Sequence, residues 1–243
     1  MFVRDRRTNA TWRASVATDG SQANGSSDDA VISADGRYVA FTSEASHLIG
    51  WDNNGCSDVF VHDRVTGATR RVSIGRGLQG NRDSYQPAIS AHGRYVAFTS
   101  MASNLVAADT RPGGSDVFLR DRVAQVTRRV SVGPDGTELN RRADSSEPAL
   151  SADGRYIAFS SLAPNLVTGD TNRSSDVFVF DRVAKVTRRI SLARGGAQGN
   201  DESYQPSISA HGRYVAFASV ASNLVADDTN DAFDVFVRTR GTG

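Results

Sequence analysis

Four near-identical phrases run through the 243 residues: Ser33-Ala-Asp-Gly-Arg-Tyr-Val-Ala-Phe41, Ser90-Ala-His-Gly-Arg-Tyr-Val-Ala-Phe98, Ser151-Ala-Asp-Gly-Arg-Tyr-Ile-Ala-Phe159 and Ser209-Ala-His-Gly-Arg-Tyr-Val-Ala-Phe217. Each is followed by a second phrase, Asp58-Val-Phe-Val, Asp116-Val-Phe-Leu, Asp176-Val-Phe-Val or Asp234-Val-Phe-Val. A unit copied this closely meets its neighbours through the same surfaces each time, so the chain is an array of one supersecondary piece. The glycine of the first phrase (Gly36, Gly93, Gly154, Gly212) recurs at steps of 57, 61 and 58 residues. That is too long for a helical repeat and suits a four-stranded propeller blade with one long loop.

The second unit shows the expected strands. Pro87-Ala-Ile-Ser opens the sheet, and Ala91-His-Gly-Arg turns the chain, with Gly93 free to take positive φ. Tyr95-Val-Ala-Phe-Thr-Ser is a second strand of aromatic and β-branched residues. Asp116-Val-Phe-Leu-Arg-Asp is a third, whose unbroken apolar run implies burial on both faces. Thr127-Arg-Arg-Val-Ser-Val alternates as an outer strand does. No 11-residue window carries a helical period. The expected fold class is all-β, a propeller of four blades with four antiparallel strands each.

The repeat units run over about 18–74, 75–132, 133–192 and 193–240 of a single domain. Phe2-Val-Arg-Asp-Arg and Trp12-Arg-Ala-Ser-Val match the third and fourth strands of a unit, while Asp234-Val-Phe-Val-Arg is a third strand with no fourth after it. Residues 1–17 are therefore expected to complete the last blade and close the ring without an open sheet edge. The count is 17 strands, one more than four full blades, so the segment at Phe2 or at Val235 is surplus or pairs elsewhere, a second chain included.

Taken together, the two phrases resemble the TolB-like (WD-like) β-propeller repeat of bacteria over nearly the whole chain. The resemblance implies a periplasmic or secreted scaffold for protein contact and no single activity. Two departures stand out: the units are long for that family, and His92 and His211 stand where aspartate is usual. A second period overlies the first. Units two and four share Ser-Tyr-Gln-Pro (from Ser84 and Ser203) and the turn histidine, 119 residues apart, as if a two-blade module had been duplicated.

Lys plus Arg is 28 and Asp plus Glu is 27, so no net charge draws the chain to nucleic acid or an anionic membrane. The single cysteine, Cys56, excludes an internal disulfide. No apolar run approaches the ~18 residues a membrane helix needs. Met1-Phe-Val-Arg-Asp-Arg-Arg lacks the apolar stretch of a signal peptide, so the expectation is a cytosolic chain or a mature segment without its leader.

Four constellations could carry chemistry. The first lies between the second and third strands. It reads Asp52, Asn54 and Asp58 in unit one, Asp170, Asn172 and Asp176 in unit three, and Asp228, Asn230 and Asp234 in unit four. Unit two keeps Asp109 and Asp116 with one more residue between them and no asparagine. Alternating short oxygen side chains suit a hard cation such as Ca²⁺. They equally suit Asx-turns that satisfy backbone amides, since the closing glutamate of an EF-hand is absent. Second, His92 and His211 would face one another across a four-bladed ring and could bind metal or move protons; as turn residues they could instead accept a hydrogen bond as their aspartate sisters do. Third, Arg70-Arg71, Arg128-Arg129 and Arg188-Arg189 could hold an anion, or pair with the Asp-Arg steps at Asp63, Asp121 and Asp181. Fourth, Asn81 with Tyr85 and Asn200 with Tyr204 crowd one mouth of the ring and suit sugar or peptide contact, or loop packing.

No nucleophile elbow, phosphate loop, dinucleotide fingerprint or zinc-protease helix occurs. The first reading is a non-enzymatic scaffold that meets a protein or glycan on its loop-rich face. A hydrolase or lyase with an axial His92–His211 site is the second, and a half-ring that self-associates as a homo-oligomer is the third.

Overall fold

The computed structural model describes residues 1–107, 109, 113–139 and 143–241. Strands β1 (Phe2–Arg4) and β2 (Thr11–Arg13) pair as a hairpin. Blade I follows, with β3 (Ser27–Ile32), β4 (Tyr38–Ser43), β5 (Asp58–Asp63) and β6 (Thr69–Arg71). A short ribbon of β7 (Ile74–Gly75) and β8 (Leu78–Gln79) leads to blade II, formed by β9 (Ser84–Ile89), β10 (Tyr95–Ser100), β11 (Asp116–Asp121) and β12 (Val126–Arg129). Blade III has β13 (Ser145–Leu150), β14 (Tyr156–Ser161), β15 (Asp176–Asp181) and β16 (Val186–Arg189). Blade IV stops at three strands, β17 (Ser203–Ile208), β18 (Tyr214–Ser219) and β19 (Asp234–Thr239). All pairing is antiparallel, and among the described residues the one helical element is a 3₁₀ turn at Pro134–Gly136.

The first strand of each blade begins earlier than expected, so Ser84 and Tyr85 lie in β9 rather than in the preceding loop. The cause is a bulge that hides the alternation: Gln86 sits at φ 51° and the register slips between Ala97 and Thr99. Asp29, Glu147 and Gln205 take the same conformation in the other blades. Three of these side chains, Asp29, Gln86 and Glu147, link the blades in series. The backbone N–H of Gln86 donates to Asp29 Oδ2 at 3.2 Å, that of Glu147 to Gln86 Oε1 at 3.2 Å, and that of Gln205 to Glu147 Oε2 at 2.8 Å.

Between blades the repeat phrases make one interface several times over. Val59 and Val61 of blade I pack on Val96, Phe98 and Phe118 of blade II, and the same positions join II to III and III to IV. Within each blade the second-strand phenylalanine stacks on the third-strand one, with centroids 5.9 Å apart for Phe98 and Phe118. At the turn end, Tyr38 lies against Gly93, Tyr95 against Gly154, and Tyr156 against Gly212, each glycine at positive φ and too close for a side chain. A guanidinium covers each ring from either side: Arg94 at 4.9 Å and Arg182 at 4.4 Å sandwich Tyr95.

The end strands do not share a blade. β1 pairs with β2, β19 pairs with β18, and among the described residues no ladder joins the two sheets. The expected closure fails because β1 already supplies what β2 needs, from a few residues away. A local hairpin closes at far less entropic cost than the two chain ends. The hairpin lies on blade I as the outer half of a preceding blade would, with Met1 and Val3 against Val39, Phe41 and Phe60.

Candidate functional site

The loop acids gather at the end of each blade where the second strand stops and the third begins. Asp58 is fully buried and accepts from Ser73 Oγ at 2.5 Å and from Asn54 Nδ2 at 2.8 Å. The Arg71 guanidinium, brought in by the outer strand β6, stands 3.0 Å from Asp52 and 3.3 Å from Asp58. Blade III repeats this with Arg189, 3.2 Å from Asp170 and 3.4 Å from Asp176. In blade II, Arg129 reaches Asp109 at 3.5 Å, Asp116 at 3.4 Å and Glu138 at 3.2 Å. Two carboxylates share one guanidinium in a dry setting. Burial pushes Asp52, Asp58 and Asp170 above the ordinary carboxylate range, and lifts Asp176 to about 6 despite the help of Ser191 and Arg189.

This donor set fits Ca²⁺ poorly in blades I to III. Arginine stands where a cation would, and Asn54 and Asn172 turn their NH₂ groups, not their oxygens, toward Asp58 and Asp176. Their oxygens accept from Cys56 and Ser174 backbone N–H groups at 3.1 and 3.2 Å, as in an Asx-turn. Among the described residues no three His, Cys, Asp or Glu side chains are grouped to hold a metal ion. Blade IV keeps the loop, with Asn230 Nδ2 donating to Asp234 at 2.9 Å, and among the described residues no outer strand brings an arginine to Asp228.

Asn81 and Asn200 are loop staples. Asn81 Nδ2 donates to Ser103 Oγ at 3.0 Å and its backbone N–H to Asn104 Oδ1 at 3.0 Å; Asn200 does the same with Ser222 and Asn223. Asn24 makes the matching bond to Ser46 at 2.9 Å. Tyr85 is half-buried, and burial raises its hydroxyl pKa, with Ser115, Asp144 and Asp83 as its polar surroundings. Tyr204 is pushed up to about 12 by burial and by the Glu202 carboxylate, and its ring lies 6.3 Å from that of Phe233. Two further aromatics on this end escaped the sequence reading: Phe233 (59% exposed) and Trp51 (88% exposed), both in loops between second and third strands. An aromatic residue breaking a polar loop was the available signal.

His92 and His211 lie on the opposite end, in the turns after the first strands of blades II and IV. His92 is highly exposed, with Nδ1 3.6 Å from Asp35 Oδ2 of blade I. Among the described residues no hydrogen bond joins it to His211, and blade III stands between them. Nor do the histidines take over the aspartate's bonds. Asp35 and Asp153 accept from Ser33 and Ser151 hydroxyls at 2.5 and 2.6 Å, a contact neither histidine makes. Three further arginines make ion pairs across neighbouring strands. Arg37 clasps Asp63, Arg94 clasps Asp121 and Arg155 clasps Asp181, at 2.7, 2.8 and 2.8 Å.

Known proteins add the fold. No family profile and no curated protein matches the sequence. The structure is similar to TolB from Acinetobacter baumannii, with a TM-score of 0.53 at 14% identity over 100% of this chain and 46% of that one. The fold is a TolB-like β-propeller. The same TolB-like arrangement is similar to an oligogalacturonate lyase in complex with manganese (TM-score 0.53, 12% identity, 96% of this chain and 58% of that). It is also similar to the tricorn protease (TM-score 0.52, 12% identity, 89% of this chain and 21% of that). The chain spans under two thirds of each of these proteins, and at such identities the likeness shows the fold alone.

Proposed function

We propose that the chain is a non-enzymatic binding scaffold that meets a protein or glycan on the end bearing the long loops. The observation that carries this reading is the pair of exposed aromatic side chains there, Trp51 and Phe233, with the half-buried Tyr204 ring beside Phe233. Blade cores already hold most of the aromatics, so rings left this exposed at loop tips contribute little to packing. Such rings offer contact area at small entropic cost and stack on sugars and apolar side chains alike. Around them the loop amides are tied down by the staples of Asn24, Asn81 and Asn200, which pre-organises the surface.

The test is a glycan array and a pull-down with the intact chain, repeated with Trp51→Ala and Phe233→Ala. Both residues are exposed, so the variants should fold as the parent does. Retention of a glycan or protein by the parent and its loss in either variant supports the reading. Retention unchanged in both variants, or no ligand at all, refutes it.

A further inference from the structure

Blade IV turns an uncovered face away from blade III. Val235 and Val237 are 77% and 69% exposed, whereas their counterparts Val59 and Val61 are fully buried by the next blade. Tyr214 is 43% exposed and, among the described residues, stacks only on its own Arg213, whereas Tyr38, Tyr95 and Tyr156 each lie under a second guanidinium from the next blade. Beside the exposed edge of β19 lies an open pocket of about 260 Å³ lined by Asp228, Asn230, Asp234 and Phe236. In blades I and III the corresponding place is filled by Arg71 and Arg189, whose guanidiniums also stand 5.8 and 6.0 Å over Phe60 and Phe178.

The other end of the array carries matching parts. Gly36 repeats the turn that elsewhere receives a tyrosine, yet a side chain there would meet only Arg64, at 3.8 Å. Met1-Phe-Val-Arg repeats Val235-Phe-Val-Arg, so β1 occupies on blade I the place β19 would take. Arg13 faces Phe2 across the hairpin, as Arg71 faces Phe60 across blade I. Arg13 and its strand are exposed.

We infer that blade IV of one copy docks on blade I of a second copy, with β19 replacing the partner's β1 against β2. Arg13 of the partner subunit then enters the pocket of Asp228, Asp234 and Phe236. Tyr214 lies over the partner subunit's Gly36, and Val235 and Val237 take the apolar positions that Met1 and Val3 of the partner subunit give up. The surplus seventeenth strand is accounted for: it is β1, a three-residue placeholder. A second copy is favoured over the same chain by the interfaces themselves. The blade-to-blade step, with its Tyr–Gly–Arg contact, is repeated at each internal junction and still leaves blades I and IV unjoined. Joining them within one chain would alter those steps, while a second copy preserves them. The contact is head-to-tail, so it builds a ring or an open filament.

Sedimentation velocity of the full chain from low to high micromolar concentration tests this. The expected result is concentration-dependent growth in mass. Arg13→Ala and Tyr214→Ala should each weaken it about tenfold or more, without moving the melting midpoint in dilute solution. Val3→Ala, which loosens β1, should strengthen it, the opposite of a merely structural effect. A monomer at every concentration overturns the inference, as does association indifferent to both Arg13 and Tyr214. So does a monomer in which Tyr214→Ala melts early, since that ring would then be buried within its own chain.

Discussion

Substituting alanine at the repeat glycines separates backbone strain from blade packing. Gly36, Gly93, Gly154 and Gly212 have φ of 69°, 69°, 67° and 67°, so an alanine at any of them costs the same left-handed penalty, about 1–2 kcal/mol. What differs is the neighbour. A Cβ on Gly154 would stand 2.4 Å from Tyr95 Cδ2, 2.8 Å from Cγ and 2.9 Å from Cβ. Gly93 and Gly212 would meet Tyr38 and Tyr156 at 2.2 and 2.1 Å. Carbon atoms rest about 3.5–4.0 Å apart. Because the overlap reaches the tyrosine's own Cβ, spinning the ring does not relieve it: the ring leaves its seat or the blades part. Overpacking of this kind costs about 1–3 kcal/mol, and Tyr95, 7% exposed, loses its cover as well. Gly154→Ala should therefore cost about 3–5 kcal/mol in all, against about 1–2 kcal/mol for Gly36→Ala. Urea denaturation of dilute protein, followed by circular dichroism, measures both. Equal losses for the two variants would refute the packing argument and leave only the φ penalty.

Four further outcomes are expected. Phe98→Ala, which empties a fully buried ring site between blades I and II, should cost about 3–5 kcal/mol by the same denaturation assay. Arg71→Met leaves Asp52 and Asp58 buried beside a neutral side chain, and should cost about 3–5 kcal/mol, against under about 1 kcal/mol for the exposed Arg70→Met. Asp176, lifted to about 6 by burial, holds its proton more tightly folded than unfolded. Its support is therefore complete below pH ~4 and lost as pH rises through about 6, an effect of up to ~3 kcal/mol that Asp176→Asn should remove from the melting curve. Asp121 acts in the opposite sense: despite its own desolvation it is held at about 2 by Arg94 and the turn amides, and stability falls as pH drops below ~4.

Strand identity and order were legible because each phrase repeats its own chemistry: Tyr-Val-Ala-Phe concentrates aromatic and β-branched residues in a buried strand, and Val-Phe-Val runs unbroken where two blades press on both faces. The early start of β9 was not, since a bulge at Gln86 followed by Pro87 breaks the period-two pattern from which strands are read. At the loops, Asp and Asn spacing located the polar cluster correctly but not its counter-ion. Arg71 is 13 residues beyond Asp58 in sequence, and only the pairing of β6 with β5 shows that it folds back over Phe60. Phe233 and Trp51 went unnoticed because single residues in loops carry no period at all.

The series of bulge contacts from Asp29 through Gln86 and Glu147 to Gln205 gives the molecule a direction. Each link takes its acceptor from one blade and its donor from the next, so a change at Glu147 is felt at Gln205 as well as at Ser160 in its own sheet. Order is thus handed along nearest neighbours, as in a zipper, and is weakest at whichever terminus lacks a successor. Amide hydrogen exchange should fade from blades II and III outward, with the three-stranded blade IV opening first and most often.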